Sequence, residues 1–259
     1  MIRARQRAVL FWLACWLLAS LVFLCWPGLD MAVATAFYTP GQGFEGEHTA
    51  WMGWAYHAAP RLGQALFVLG LLVGLLRWLW PTRVPRWCWR RLAAWMLVVV
   101  LGVGLFVHEG LKNRMGRPRP EQMVQMGGQA DYVPIYTVSQ ACQSNCSFVS
   151  GHAAIGFSVM GLGLWAPVAR RRRWWLAGVG LGLGIGYVRI AQGGHFLSDI
   201  VFAGLVVWAS AWLVRWGWLR WPGHSGPSRS GSKPHGWCKA TSCASWSKTP
   251  RPACANALP

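Results

Sequence analysis

Acidic residues are scarce in this chain. Only 7 of its 259 residues are Asp or Glu, against 25 Lys and Arg, so the formal net charge is +18. Such basicity raises the question of a nucleic-acid-binding protein. The arginines, however, stand in short runs between apolar segments, and 54% of all residues are hydrophobic. Segregation of charge from apolar sequence indicates an integral membrane protein, and no nucleic-acid partner is predicted.

Charge is also absent from the interiors of six apolar segments. They cover approximately residues 8–26, 62–76, 92–107, 153–168, 174–187 and 200–216. Several are shorter than the ~20 residues of a full membrane span, so flanking His and Trp residues are expected to complete them. The first follows a basic start and has no clear cleavage site, which favours a retained anchor over a signal peptide. The pattern predicts an all-α fold, a polytopic six-helix transmembrane bundle.

No Lys or Arg occurs between Pro27 and Pro60, while basic blocks stand at four other places. They precede the first segment, separate the second from the third and the fourth from the fifth, and follow the sixth. Because cytoplasmic loops carry the excess of Lys and Arg, both termini are predicted to be cytoplasmic and all seven acidic residues to lie outside. One basic stretch on the outer side, around Lys112 and Arg119, breaks the rule and indicates an anionic ligand.

The membrane domain is predicted to cover residues 1–221. Residues 222–259 are rich in Ser, Pro, Gly and Lys without helical periodicity, and are predicted to form a disordered cytoplasmic tail. The alternating glycines of residues 178–186 indicate close helix packing, since the strand–helix setting of a nucleotide site is missing. On the outer side, Cys142 and Cys146 are compatible either with a disulfide or with two free thiols.

Three clusters of charged and polar residues occur in order beside the apolar segments. They are Lys112-x6-Arg119-Pro120, Ser150-Gly151-His152 and Arg189-x5-His195-x3-Asp199. Asp199 lies one helical turn after His195, where it would accept the proton of one ring nitrogen and leave the other as a nucleophile toward phosphorus. His152 is the candidate general acid for the leaving alcohol.

The remaining residues of the clusters predict a phosphate site. Lys112, Arg119 and Arg189 would stabilise the negative charge of a phosphoryl-transfer transition state. Ser150 and the backbone near Gly151 would donate hydrogen bonds to phosphate oxygens. Each cluster alone has an ordinary structural explanation: a solvated basic loop, a Ser helix cap, or a stabilising His–Asp pair. The cations would repel a divalent ion, so a metal-free site without any cofactor is predicted.

These clusters resemble the membrane members of the type 2 phosphatidic acid phosphatase family, whose pattern is Lys-x6-Arg-Pro, Pro-Ser-Gly-His and Ser-Arg-x5-His-x3-Asp. The match covers about residues 92–216, with Val149 in place of Pro and Val188 in place of Ser. The resemblance implies no cofactor or metal. It implies a phosphohistidine on His195, with Asp199 as its partner, His152 as general acid, and phosphate binding by Lys112, Arg119, Ser150, Gly151 and Arg189.

The resulting prediction is a phosphatase that hydrolyses a phosphomonoester on a lipid headgroup at the periplasmic face of a bacterial inner membrane. Residues 147–152 and 192–199 are most similar to the bacterial branch that removes phosphate from lipid A. The alternatives are undecaprenyl diphosphate or phosphatidylglycerol phosphate as substrate, a lipid phosphotransferase, and a non-enzymatic anion-binding or transport protein. A transporter would show charges near the bilayer midplane, whereas here they stand at segment ends. The oligomeric state is left open.

Overall fold

A computed structural model describes residues 2–220, which are mostly helical. The tail predicted to be disordered, residues 222–259, lies outside the described residues. The helices are α1 (Ile2–Cys25), α2 (Gly28–Thr35), α3 (Ala50–Leu79), α4 (Arg86–Val98), α5 (Asn113–Met115), α6 (Gly151–Ser158), α7 (Val168–Ala191) and α8 (Leu197–Arg220).

Two helices continue with altered backbone hydrogen bonding, α4 as a π-helix over Val99–Lys112 and α6 as a 3-10 helix over Val159–Gly163. The segments that connect α2 to α3 and α5 to α6 contain short 3-10 turns, and the first of these segments also contains a two-stranded sheet. The turns are Glu45–Glu47, Pro120–Gln122 and Val124–Met126, and the strands are β1 (Tyr38–Thr39) and β2 (Gly43–Phe44). The strands are antiparallel, with Tyr38 opposite Phe44.

Within residues 2–220, five helices are long and apolar enough to cross a membrane: Gln6–Cys25, Ala50–Leu79, Arg86–Lys112, Val168–Ala191 and Leu197–Trp218. Leucines of α1 and α3 remain exposed on the surface of the bundle, as expected for side chains that face lipid. The final helix is the most buried of the five and forms the centre of the bundle. The predicted all-α membrane bundle is therefore confirmed.

The fourth predicted span is shorter than the others, yet it runs beside most of α8. At its start, the Ser150 amide lies 3.3 Å from the Asp199 carbonyl oxygen in the first turn of α8. Near its end, Arg215 of α8 donates to the Leu164 carbonyl oxygen at 2.6 Å. Between Asp199 and Arg215 the helix rises by roughly 24 Å, most of the ~30 Å hydrocarbon core. The tight 3-10 turns lengthen this segment because they rise more per residue.

Glycines of α7 bring it close to its neighbours. A Cβ at Gly182 would overlap the Phe157 ring of α6, and one at Gly178 would lie 2.7 Å from the Met160 backbone nitrogen. These two positions are four residues apart, so they share one helical face. The close helix packing predicted from the glycine pattern is confirmed.

The residues of the three clusters lie at one end of the bundle. Lys112 ends the π-helical segment, and Arg189 lies in the last turn of α7. His152 and Asp199 lie in the first turns of α6 and α8, which the Ser150–Asp199 backbone hydrogen bond places side by side. Residues as far apart in the sequence as Lys112 and Asp199 therefore come close together at this end of the bundle.

Candidate active site

His195 lies in the turn between α7 and α8, and only 1% of its surface is exposed. Its Nδ1 is 2.8 Å from the Ser147 main-chain carbonyl oxygen. A carbonyl oxygen only accepts, so this contact keeps the proton on Nδ1 and leaves the lone pair on Nε2. Burial, together with the charges of Arg189 and Lys112, lowers the pKa of His195 to about 4 despite the opposing effect of Asp199. The ring is therefore neutral at pH 7.

Asp199 is arranged differently from the sequence-based expectation. Its Oδ2 lies 3.6 Å from His195 Nδ1, an ion-pair distance that is too long for a good hydrogen bond. Three closer donors approach the carboxylate: Arg117 Nη1 at 2.7 Å, Ser147 Oγ at 2.5 Å and the Phe196 amide at 2.8 Å. Asp199 is thus held beside the ring, while the carbonyl of Ser147 accepts the ring proton.

His152 is half-buried and stacks on an aromatic ring of α3. The ring centroids of His152 and Tyr56 are 4.7 Å apart at an angle of 20°. The Arg189 guanidinium also lies over the Tyr56 ring, 4.6 Å from its centroid. The Tyr56 ring therefore contacts both His152, the candidate general acid, and Arg189, a candidate phosphate ligand. No sequence motif includes Tyr56, so sequence reasoning did not place it in the site.

The charges around His152 oppose its protonation. Burial, followed by the positive charge of Arg189, the charge that His195 acquires when protonated, and the charges of Lys112 and Arg119, lowers the pKa of His152 to about 3. Each of these groups belongs to one of the three predicted clusters, so the folded chain brings the clusters into electrostatic contact. A bound phosphate would offset this positive charge and allow His152 to carry the proton that a general acid needs.

Lys112 and Arg189 are buried cations without a carboxylate partner within 4.0 Å among residues 2–220. Arg189 Nη1 donates to Gln192 Oε1 at 2.7 Å, but its buried Nε has no hydrogen-bond partner in the described part of the chain. Arg119 is more exposed and pairs weakly with Glu121 at 3.4 Å. Buried charge is costly when it is unpaired, so this end of the bundle favours an anion.

Ser150 and Gly151 begin α6. The Ser150 hydroxyl accepts from the Ala153 amide at 3.4 Å and so caps the helix. A Cβ built at Gly151 would meet no atom within 4 Å. The first turn of α6, where the helix dipole is positive, is therefore accessible to a ligand.

Gly193 and Gly194 allow the chain to reverse between α7 and α8. Gly193 has φ +65°, a left-handed conformation that favours glycine. A Cβ at Gly194 would overlap the Arg189 guanidinium. The pair therefore lets Arg189 fold back against the backbone that leads into His195.

Cys142 and Cys146 form a disulfide, with their Cα atoms 5.6 Å apart, which decides between the two possibilities that the sequence allowed. The short loop that it closes contains Asn145, whose φ is 52°. The Asn145 carbonyl oxygen accepts from Arg119 Nη2 at 3.0 Å and from Nε at 3.3 Å. The disulfide loop thus holds one of the three candidate phosphate-binding cations.

The sequence profile of the PAP2 superfamily matches residues 93–222. The chain belongs to the PAP2 superfamily. A lipid A 4'-phosphatase from Francisella tularensis subsp. novicida (strain U112) is 34% identical over 215 residues, which are 82% of this chain and 95% of that protein. The predicted family resemblance is confirmed, and with it the assignment as a membrane phosphatase of phosphomonoesters.

Two further relatives match over a shorter region. A lipid A 4'-phosphatase from Rhizobium etli (strain ATCC 51251 / DSM 11541 / JCM 21823 / NBRC 15573 / CFN 42) is 32% identical over 125 residues, 48% of this chain and 47% of that protein. One from Rhizobium leguminosarum is 33% identical over 116 residues, 45% of this chain and 48% of that protein. No solved structure gives a significant match.

Proposed function

We propose that this membrane lipid phosphatase removes the 4'-phosphate of lipid A. The observation that carries the proposal is the 34% identity to the Francisella lipid A 4'-phosphatase across nearly the whole length of both proteins. The unpaired cations of the site fit the monoester, because a terminal phosphate carries up to two negative charges that Lys112 and Arg189 would neutralise.

The proposed first step is attack by His195 Nε2 on phosphorus. The phosphorus–oxygen bond to the sugar breaks, His152 gives its proton to the departing alcohol oxygen, and a phosphohistidine forms. Ser147 supports this step because its carbonyl keeps the proton on Nδ1. Asp199, 3.6 Å from that nitrogen, stabilises the positive charge that the ring acquires.

The proposed second step is hydrolysis of the phosphohistidine. His152, now without its proton, takes one from water while the water oxygen attacks phosphorus. The bond to His195 Nε2 breaks, its electron pair returns to the ring, and inorganic phosphate leaves. Lys112, Arg119 and Arg189 bind the equatorial oxygens in both steps, with donors from the first turn of α6 at Ser150 and Gly151.

We also propose that the site faces the periplasm and that both termini of the chain are cytoplasmic. The helix ends that carry Lys112, His152, Arg189 and Asp199 lie together, and the arginine blocks of residues 77–91 and 170–173 stand at the opposite ends of the same helices. A membrane-impermeant thiol reagent should label Gln129→Cys in intact inner-membrane vesicles of periplasmic-side-out orientation but not Arg172→Cys. Equal labelling of both positions would contradict this topology.

Phosphate release from defined lipids tests the substrate. The purified full-length protein should release phosphate from lipid A that carries only a 4'-phosphate, and much less from lipid A that carries only a 1-phosphate. Undecaprenyl diphosphate and phosphatidylglycerol phosphate should be poor substrates. To distinguish hydrolysis from phosphate transfer, the assay includes an acceptor lipid, and labelled phosphate should appear in solution and not on that lipid. Preference for any of these other substrates, or transfer to lipid, would replace the proposed reaction.

The same assay tests the nucleophile and the absence of a metal. His195→Ala should remove essentially all turnover, whereas the matched change at the exposed His108 should leave it unchanged. Activity should survive exhaustive chelation, and rapid quenching should trap acid-labile, base-stable phosphate on the wild-type protein. A requirement for a divalent ion would reassign His152, His195 and Asp199 as metal ligands.

A further inference from the structure

Arg117 stands two positions before Arg119 but is buried among acidic groups instead of phosphate-binding cations. It is 1% exposed, and its Nη1 donates to Asp199 Oδ1 at 2.7 Å. Its Nη2 donates to Asp30 Oδ2, also at 2.7 Å. A single guanidinium thus bridges two buried carboxylates, one of which lies beside His195.

Asp30 comes from a part of the chain that the family profile does not cover. It lies in α2, whereas the PAP2 profile begins at residue 93. Its side chain is fully buried and accepts from the Ser198 amide at 2.9 Å and the Ser198 hydroxyl at 2.5 Å. These bonds attach the N-terminal part of the protein to the first turn of α8, one residue from Asp199.

Aromatic side chains enclose the bridge. The Arg117 guanidinium lies over the Phe196 ring at 4.3 Å and over the Tyr132 ring at 5.4 Å. The Tyr132 hydroxyl donates to Asp30 Oδ2 at 3.3 Å. Little water reaches the three charges, so their interactions with one another and with nearby groups are stronger than at a surface.

The charges of this cluster do not cancel. Both carboxylates receive only hydrogen-bond donors, which is the arrangement of the ionised form. Burial by itself would lower the pKa of Arg117, but the charges of Asp199 and Asp30 raise it above its ordinary value. Two negative charges and one positive charge leave a net charge of −1 next to a neutral His195.

We propose that Asp30 and Arg117 are positioning residues for the phosphohistidine. They hold the Asp199 carboxylate in place. Together with Asp199 they also give the cluster a net charge of −1, which stabilises the positively charged ring of phosphorylated His195. The inference rests on the proposed role of His195. Arg117 fixes the Asp199 carboxylate beside Nδ1, and Asp30 offsets the positive charge of Arg117 so that Asp199 still acts on the ring. Without Asp30, the Arg117 charge would cancel that of Asp199.

Charge changes at the two positions should therefore act in opposite directions. Asp30→Asn brings the cluster to zero, Arg117→Gln brings it to −2, and the double variant restores −1. The His195 ring is faced by Asp199 from the first turn of α8, by Arg189 from α7, by Lys112 from the π-helical segment and by His152 from α6. None of these groups is altered in the three variants, so a shift in the titration of His195 reports the cluster charge.

The experiment measures the pH dependence of kcat/KM and the level of trapped phosphoenzyme in the full-length protein. Asp30→Asn should lower kcat by about 10-fold or more, with a much smaller change in KM, and move the acidic limb to lower pH by roughly half a unit to one unit. Arg117→Gln should move that limb to higher pH. The double variant should return the limb to the wild-type position and regain kcat relative to Asp30→Asn.

Asp131→Asn, at an exposed carboxylate of the same outer region, is the matched control and should behave as wild type. Limbs that shift in the same direction in both single variants, or a double variant no better than either, would show that the cluster only supports folding and would overturn the proposal. If Asp30→Asn does not fold, Tyr132→Phe and Ser198→Ala test the same idea, because each removes one hydrogen-bond donor to Asp30. Both variants should lower kcat without a comparable change in KM. An unchanged kcat in both variants would overturn the proposal. Failure of the wild-type protein to form any phosphohistidine would instead refute the proposed function.

Discussion

The Ser147 carbonyl oxygen lies 2.8 Å from His195 Nδ1, closer than any oxygen of Asp199. The backbone therefore sets the tautomer of the candidate nucleophile, and the neighbouring carboxylate sets its electrostatic environment. In Ser-His-Asp triads one carboxylate sets both the tautomer and the electrostatic environment of the histidine. Replacing that Asp by Asn favours the wrong tautomer and lowers the rate by about 10⁴-fold. The separation of the two tasks in this site has a direct consequence for mutagenesis.

Asp199→Asn should cost less activity than in such a triad. Because Ser147 still holds the proton on Nδ1, only the electrostatic support of the charged ring is lost. We expect a fall in kcat of about 10²-fold, the effect of removing one strong transition-state interaction. Steady-state kinetics with lipid A would measure it, and a fall as large as that of His195→Ala would show that the Ser147 contact does not set the tautomer.

Tyr56 should contribute through its ring and not through its hydroxyl group. The ring contacts both His152 and Arg189, and such stacking and cation–π contacts are each worth about 1 kcal/mol. Tyr56→Ala should therefore lower kcat/KM by roughly 30-fold, and Tyr56→Phe by less than about 3-fold. Trp54→Ala, at an exposed aromatic residue of the same helix, is the control. Equal losses in the Ala and Phe variants would contradict the stacking role.

Reduction of the Cys142–Cys146 disulfide should weaken phosphate binding. The loop holds the Asn145 carbonyl against Arg119, and hydrogen bonds to a charged group contribute about 1.5–3 kcal/mol. We expect KM for lipid A to rise on the order of 10-fold after reduction, with a smaller effect on kcat. A Cys142→Ser, Cys146→Ser double variant should show the same kinetics and no response to reductant, whereas Cys25→Ser should respond like wild type. Continued sensitivity of the double variant would place the effect elsewhere.

The phosphate-free protein should lose stability below about pH 6.5. His195 and His152 have folded-state pKa values of about 4 and 3, below the value near 6.5 of an unfolded chain. At a pH between the folded-state and unfolded-state pKa values, the unfolded chain binds more protons than the folded protein. The free energy of unfolding therefore decreases as the pH falls below about 6.5. The thermal midpoint should drop by roughly 5 °C between pH 7 and pH 5.

Orthovanadate should reduce that drop, because an anion beside the two rings favours their protonation. His195→Gln should flatten the pH dependence, while the matched His108→Gln should retain it. Thermal unfolding scans of the purified protein from pH 5 to pH 8 would measure all three. A midpoint that does not change with pH in the wild-type protein would show that the two histidines titrate normally.

Several features of the site could be predicted because they depend on chain-local chemistry. Apolar segments cross the bilayer, and basic runs stay on its cytoplasmic side. The order of apolar segments and basic runs along the chain therefore predicts a helical bundle and shows which helix ends lie on the same side of the membrane. Lys112, His152, Arg189 and His195 each stand at such an end, and their spacing alone identified the family that the comparisons confirm. The fourth segment was recognised by its composition, although its helix proved to be partly of the 3-10 type.

Tertiary structure decided which partner each polar group has. The Lys112-x6-Arg119 spacing singles out Arg119 as a phosphate ligand, but nothing in the sequence says which groups Arg117 contacts, although it stands in the same basic stretch. The loop turns one guanidinium into the protein against Asp30, 87 positions away, and leaves the other near Asn145 in the disulfide loop. The role of the Ser147 carbonyl could not be foreseen either, since every residue of the chain carries the same backbone group. Segment identity follows from composition, but the pairing of buried charges depends on where the fold excludes water, and that is a property of the packed chain as a whole.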